Sequence, residues 1–167
     1  MVGLGFPQSR PTRDIDLLGL MNSDLENVSS IIKEIGNKNI DDGLTFDLDG
    51  LNHEILSQNS DYPGLRFKFT GYLGQAQIPI QIDVGFGDKV IPEIKEIEFP
   101  TLLGMEPPRV AAYSVESVVA EKFEAALGLA DLNSRMKDFY DIWALSNSYE
   151  FDGKVLREAI TTTCSRL

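Results

Sequence analysis

Three aspartates could carry chemistry in this sequence. Asp14 and Asp16 stand one residue apart in RDIDLLG, and Asp83 lies within IPIQIDVGF. Side chains alternate across a strand, so Asp14 and Asp16 emerge on one face while Ile15 and Leu17 point to the other. Two carboxylates this close repel, and if buried they take up protons unless a cation compensates them. Mg²⁺ takes oxygen ligands and keeps positions open for water and substrate phosphates, so an Asp-x-Asp strand is a suitable half-site for it. The alternative is an exposed strand end with two solvated acids. Asp83 interrupts the run Ile78, Ile80, Ile82, Val84, Phe86, where a charge is costly unless it is paired or binds metal. If its strand lay beside the first, Asp83 could share a metal with Asp14 and Asp16 or take the proton from an attacking hydroxyl. Its alternative is an edge-strand residue facing water. Three strand carboxylates without a histidine, cysteine or serine nucleophile motif suit metal-assisted phosphoryl or nucleotidyl transfer. There, bound Mg²⁺ orients a nucleoside triphosphate (NTP), activates an acceptor hydroxyl and neutralises the leaving pyrophosphate.

Several elements must position these acids. Ile15, Leu17 and Leu18 give a short strand after the turn-prone FPQSRPT. Ser23 with Glu26 has the form of a capping box before LENVSSIIKEIGN, in which Leu25, Val28, Ile32 and Ile35 recur at helical spacing. LTFDLDGL, NHEILS, LRFKFTGYL and AQIPIQIDVGF read as strands punctuated by DG, PG and GD turns, which predicts hairpins. Beyond Pro107-Pro108 the pattern turns helical: Val115, Val118, Val119, Phe123 and Leu127 follow a cap at Ser114, a second helix surrounds RMKDFYDIWALS, and Asp152 caps a third ending near Cys164. The expected organisation is α+β: a sheet core over 1–108 and a helical portion over 109–167 packed as one compact unit. GLGF at Gly3–Phe6 and DLDG at Asp47–Gly50 are expected to be turns, since the calcium loop that DLDG suggests lacks its closing glutamate.

Composition narrows the function classes. The chain of 167 residues has a formal charge of −11, from 15 Lys and Arg against 26 Asp and Glu, which repels polyanions unless the basic groups are concentrated. One cysteine, Cys164, allows no intrachain disulfide and fits a reducing compartment. One histidine, His53, leaves zinc chemistry without a ligand set. No apolar run approaches the length of a membrane span and the amino terminus does not read as a signal peptide, so a cytoplasmic protein is expected.

The helical half adds cations. Lys122 sits in AEKFE, and Arg135 and Lys137 open the next helix, ahead of Asp138 and Asp141 at i,i+3 on one face. Lys122 either supplies a compact cation to a β- or γ-phosphate or makes local ion pairs with Glu121 and Glu124. Asp138 would orient a base or ribose, or steady Lys122.

RPTRDIDLLG, IQIDVGFGD and above all SVESVVAEKFEAALGLADLNSRMKDFYDIWAL resemble, in order and spacing, the nucleotidyltransferase toxins of the AbiEii/AbiGii abortive-infection family. The resemblance covers almost the whole chain. It implies a polymerase-beta-type nucleotidyltransferase fold, a mixed sheet flanked by helices, with Mg²⁺ on the aspartates matching Asp14 and Asp16. It places Asp83 as the third strand carboxylate, Lys122 near the triphosphate and Asp138 in the last motif. Family members act as toxins beside a cognate antitoxin, and some transfer nucleotides to tRNA ends, so an RNA acceptor is one expectation. The family's first motif is a Gly-Gly or Gly-Ser phosphate-approach turn. Gly3 and Gly5 are its candidates here, and the alternative expectation is a chain that has lost that element. Two other functions stay open: an inactive relative that binds nucleotide or a protein partner, and a nucleotidyltransferase that modifies small-molecule antibiotics.

Overall fold

The structure, a computed structural model, describes residues 14–56, 63–87, 90–101, 104–129 and 136–165. The chain divides into two compact units, one spanning Thr12–Asp88 and the other containing Lys89–Leu167. The first holds strand β1 (Asp14–Gly19), helix α1 (Leu25–Gly36) and strands β2 (Leu44–Leu56), β3 (Gly64–Leu73) and β4 (Ala76–Phe86). Its sheet has the order β1-β4-β3-β2, mixed because β1 runs parallel to β4 while β3 is antiparallel to both of its neighbours.

Period-two alternation sorts β4 into two faces. Ile82, Val84 and Phe86 join Leu65 and Phe67 of β3 and Val28 of α1 in one core, with Leu25, Ile32 and Leu51 packed against it. Gln77, Gln81 and Asp83 fall on the opposite, polar face. The charge in the isoleucine run is therefore not in the core. Nor is β4 an edge strand, because β1 and β3 flank it. Ile35, the last member of the predicted helical stripe, is 61% exposed and lies outside this core.

Two local expectations need correction. The cap of α1 is Asp24, whose carboxylate accepts from the Glu26 N–H, and not Ser23. Both types cap well, so an adjacent pair leaves the start open by one residue. The Asp49-Gly50 pair also does not end a strand: LTFDLDGL and NHEILS are one strand, β2, carrying a wide irregularity. Asp47 pairs with Thr70 and Asn52 with Lys68, so Leu48–Leu51 stand opposite Phe69 alone. Asp47 closes this bulge by accepting from the Gly50 N–H at 3.0 Å, and Leu48 is buried. A bulge and a tight turn both recruit glycine, which is why the dipeptide misleads.

The β3–β4 hairpin is joined by Gly74-Gln75, with Gly74 at φ 59 as the first loop residue. Positive φ at that position is the feature of a type II′ turn, which suits the twist of the flanking strands. Gly19, at the end of β1, is register-paired with Phe86, and a Cβ added to it would overlap the Phe86 ring. Gly19→Ala should therefore displace a core aromatic and cost about 1–3 kcal/mol, as overpacking does. The check is urea unfolding: the midpoint falls at unchanged slope, and an unchanged midpoint would mean that the ring yields freely.

The second unit has a two-stranded antiparallel sheet, β5 (Lys95–Glu98) with β6 (Arg109–Ala112), and helices α2 (Val115–Leu129), α3 (Met136–Ser146) and α4 (Gly153–Cys164). The strand runs named from the sequence end at AQIPIQIDVGF and include neither β5 nor β6, whose four residues each are too short to show a period. The expected caps are present. Ser114 Oγ accepts from the Ser117 N–H, and Asp152 accepts from the N–H groups of Lys154 and Val155. Val119, Ala144 and Leu145 form the core of this unit, with Val115, Val118, Ile142 and Leu156 against it. No helix among the described residues is long and apolar enough to cross a membrane.

Candidate active site

The acids predicted from sequence lie on adjacent strands of the first unit's sheet, on its polar face. In register, Asp16 lies beside Asp83, Asp83 beside Arg66, and Arg66 beside Glu54. A second row runs Asp14, Gln81, Lys68, Asn52. Neighbouring strands lie about 4.8 Å apart, so β1 and β4 form an acidic edge with the two cations of β3 one strand further in. Asp14 is half-buried and Asp16 exposed.

Arg66 engages the third acid. Its Nε donates to Asp83 Oδ1 at 2.8 Å and its Nη2 to Asp83 Oδ2 at 2.6 Å, a bidentate, charge-assisted fork. Gln81 Nε2 adds a weaker bond to Oδ2 at 3.4 Å. The pair is partly shielded, with side chains 30% and 18% exposed. The Asp83 hydrogen bond, then the charges of Asp83, Glu54 and Asp14, raise the Arg66 guanidinium above its ordinary value against a smaller lowering by burial. Lys68 in turn donates to Glu54 at 2.7 Å, and that hydrogen bond holds the Glu54 carboxyl below its usual range.

Among the described residues, no three His, Cys, Asp or Glu side chains are gathered into a group that could hold a metal ion. Asp83 is committed to Arg66, and the β1 pair, on the same face of the sheet, supplies two further carboxylates. Two carboxylates without nitrogen or sulfur ligands fit Mg²⁺, which is bound through one or two carboxylates with water and substrate phosphates completing its octahedron.

The second unit holds the remaining candidates. Lys122 of α2 reaches Asp141 at 2.8 Å and Asp138 at 3.4 Å, both on α3. The two carboxylates are 0% and 3% exposed and the lysine 18%. The ion-pair partners of Lys122 are thus across the helix pair, whereas sequence proximity suggested Glu121 and Glu124. Lys137 is exposed at the start of α3. Arg135, Gly3 and Gly5 lie outside the described residues.

Sequence reasoning missed Arg66 and gave Asp141 no role. Arg66 and Lys68 alternate with Leu65, Phe67 and Phe69 in LRFKF, a sign of a cationic strand face. Which acid each cation meets depends on strand register, which the sequence does not display. The i,i+3 spacing of Asp138 and Asp141 did signal a shared acidic helix face.

Among curated proteins there is no match to this chain. The crystal structure of JHP933 from Helicobacter pylori is similar in fold, with a TM-score of 0.55 and 17% identity over 93% of this chain and 59% of that one. This chain thus spans 59% of the length of that neighbour. The sequence model of the family described as nucleotidyl transferase AbiEii toxin, type IV toxin–antitoxin system, matches residues 2–166. With the acid-bearing strands, the mixed sheet and a match along nearly its full length, the chain belongs to the AbiEii nucleotidyl transferase toxin family.

Proposed function

We propose that the protein has a nucleotidyltransferase fold of the polymerase-beta type and moves a nucleotide from an NTP to a hydroxyl acceptor, with Asp14 and Asp16 as the ligands of Mg²⁺. The observation that carries this reading is the register pairing of Asp16 with Asp83, which brings a third carboxylate from the adjacent strand to the Asp-x-Asp pair. A bound Mg²⁺ would supply Lewis acidity at the α-phosphate and lower the charge of the leaving pyrophosphate.

The protein groups do the rest. Asp14 and Asp16 lie on one strand face, from which both carboxylates can be turned towards one ion. Asp83 has two roles open to it, third ligand of the ion or general base for the acceptor hydroxyl, and Arg66 orients its carboxylate for either. The acceptor oxygen then bonds to the α-phosphorus, the bond from that phosphorus to the bridging oxygen breaks, and pyrophosphate leaves. Lys122 is assigned to the triphosphate. Its ammonium has three donors, and two are directed at Asp138 and Asp141, which leaves one for a phosphate oxygen. Arg135 and Lys137 are assigned to the same substrate.

Membership of a type IV toxin–antitoxin family implies an antitoxin partner. The acceptor is proposed to be RNA, tRNA included, and the setting the cytoplasm. The test is metal-dependent binding of labelled NTP followed by transfer of the label to total RNA or to an aminoglycoside. Label on RNA supports the toxin reading, and label on the aminoglycoside the antibiotic-modifying one. Binding that ignores Mg²⁺ and survives Asp14→Ala identifies an inactive relative.

A further inference from the structure

We propose that Arg66 is a positioning residue that competes with the divalent cation for Asp83, so that the third carboxylate is withheld from the metal until substrate is bound. This rests on the reading of Asp14 and Asp16 as metal ligands. Both Asp83 oxygens are engaged by one guanidinium at 2.8 and 2.6 Å, on the strand next to β4, in register. Asp83 in turn is in register with Asp16 on the other side. It therefore stands between a fixed cation on β3 and the carboxylate fork on β1.

A carboxylate in this position cannot serve both cations fully. A bidentate arginine pair has a fixed planar geometry in which both oxygens face the guanidinium, and turning one oxygen towards β1 breaks half of the fork. In the absence of substrate the fork holds, because a lone divalent ion gains one more ligand only by giving up a charge-assisted bond in a partly shielded site. An NTP changes the balance. Its phosphates add ligands to the ion and bring negative charge that Arg66 can meet in place of Asp83. Arg66 would then release Asp83 as the substrate arrives, coupling assembly of the three-acid site to the presence of the triphosphate. The second row supports the same separation of charge, since Lys68 is held by Glu54 and away from the β1 edge.

The experiment is a titration of the purified protein with Mn²⁺ alone, followed by electron paramagnetic resonance of the free ion, with circular dichroism confirming each variant's fold. Arg66→Gln should bind Mn²⁺ about 5- to 30-fold more tightly than the unaltered protein, the range expected of directly coupled neighbours. Arg66→Lys keeps the charge but not the fork, serves where the glutamine variant is unfolded, and should also tighten binding. In an Asp83→Asn background the same Arg66 substitutions should leave affinity within about twofold, since nothing remains to be released. Equal tightening in both backgrounds would show that Arg66 acts on the ion by charge alone and would overturn the competition. Unchanged or weaker binding in the single variants would assign Arg66 to the structure of the sheet and overturn it too. If Mn²⁺ binding is undiminished in Asp16→Asn, the metal reading itself fails, an outcome distinct from indifference to Arg66.

Discussion

Asp16→Asn should abolish nucleotidyl transfer, lowering the rate by at least about 10³-fold, while circular dichroism and the melting temperature stay those of the unaltered chain. The size follows from the several kcal/mol of transition-state charge stabilisation that a catalytic metal supplies, each 1.36 kcal/mol being about tenfold. The selectivity follows from the strand. Asp16 is exposed on β1, and asparagine keeps its shape while removing one of two like charges in Asp-x-Asp. Surface substitutions of this kind stay within about 0.5 kcal/mol of stability. A fully folded variant that still transfers nucleotide at the normal rate would remove Asp16 from the metal site.

Lys122→Met should have the opposite profile, a large loss of stability. Asp138 and Asp141 have side chains 3% and 0% exposed, and Lys122 is their shared cation between α2 and α3. Taking one partner from a buried ion pair costs about 3–5 kcal/mol, because the charges left behind keep their desolvation penalty. Lys122 is itself 18% exposed, so some water can replace it and the lower end of that range applies. In a small unit this corresponds to a fall of roughly 10 °C or more in the melting transition. Adding Asp141→Asn to Lys122→Met should recover part of the loss by removing one of two buried like charges. A melting temperature unchanged in Lys122→Met would mean that the triad is not part of the folding free energy. Any effect on triphosphate affinity is then read in Lys122→Arg, which keeps a cation between the helices.

How far the sequence discloses this arrangement depends on whether the information is local. The Asp-x-Asp strand, the helices from Val115 to Cys164 and the caps at Ser114 and Asp152 are local patterns of period and capping, and all are present. The alternation of β4 is equally local, and it puts Asp83 on the polar face by counting alone. Pairing across the sheet is not local. Arg66 is 17 positions from Asp83, and the two pair only once the hairpin between their strands is closed at Gly74-Gln75, a turn position that the expected hairpins did not specify. The contact of Lys122 with Asp141 likewise depends on how α2 packs against α3, where nearer acids in the same helix offered themselves first. The bulge in β2 was hidden for a third reason. Leu48 is drawn into the interior by tertiary packing, which overrides the turn preference of Asp49-Gly50.

Label placement on the NTP tests the proposed reaction most directly. With Mg²⁺, a triphosphate labelled on its α-phosphate should leave its label on the acceptor and release unlabelled pyrophosphate, and chelation of the metal or Asp16→Asn should stop this. Label reaching the acceptor from the γ-position, or transfer undiminished after chelation, would contradict metal-dependent nucleotidyl transfer from the Asp14–Asp16 strand.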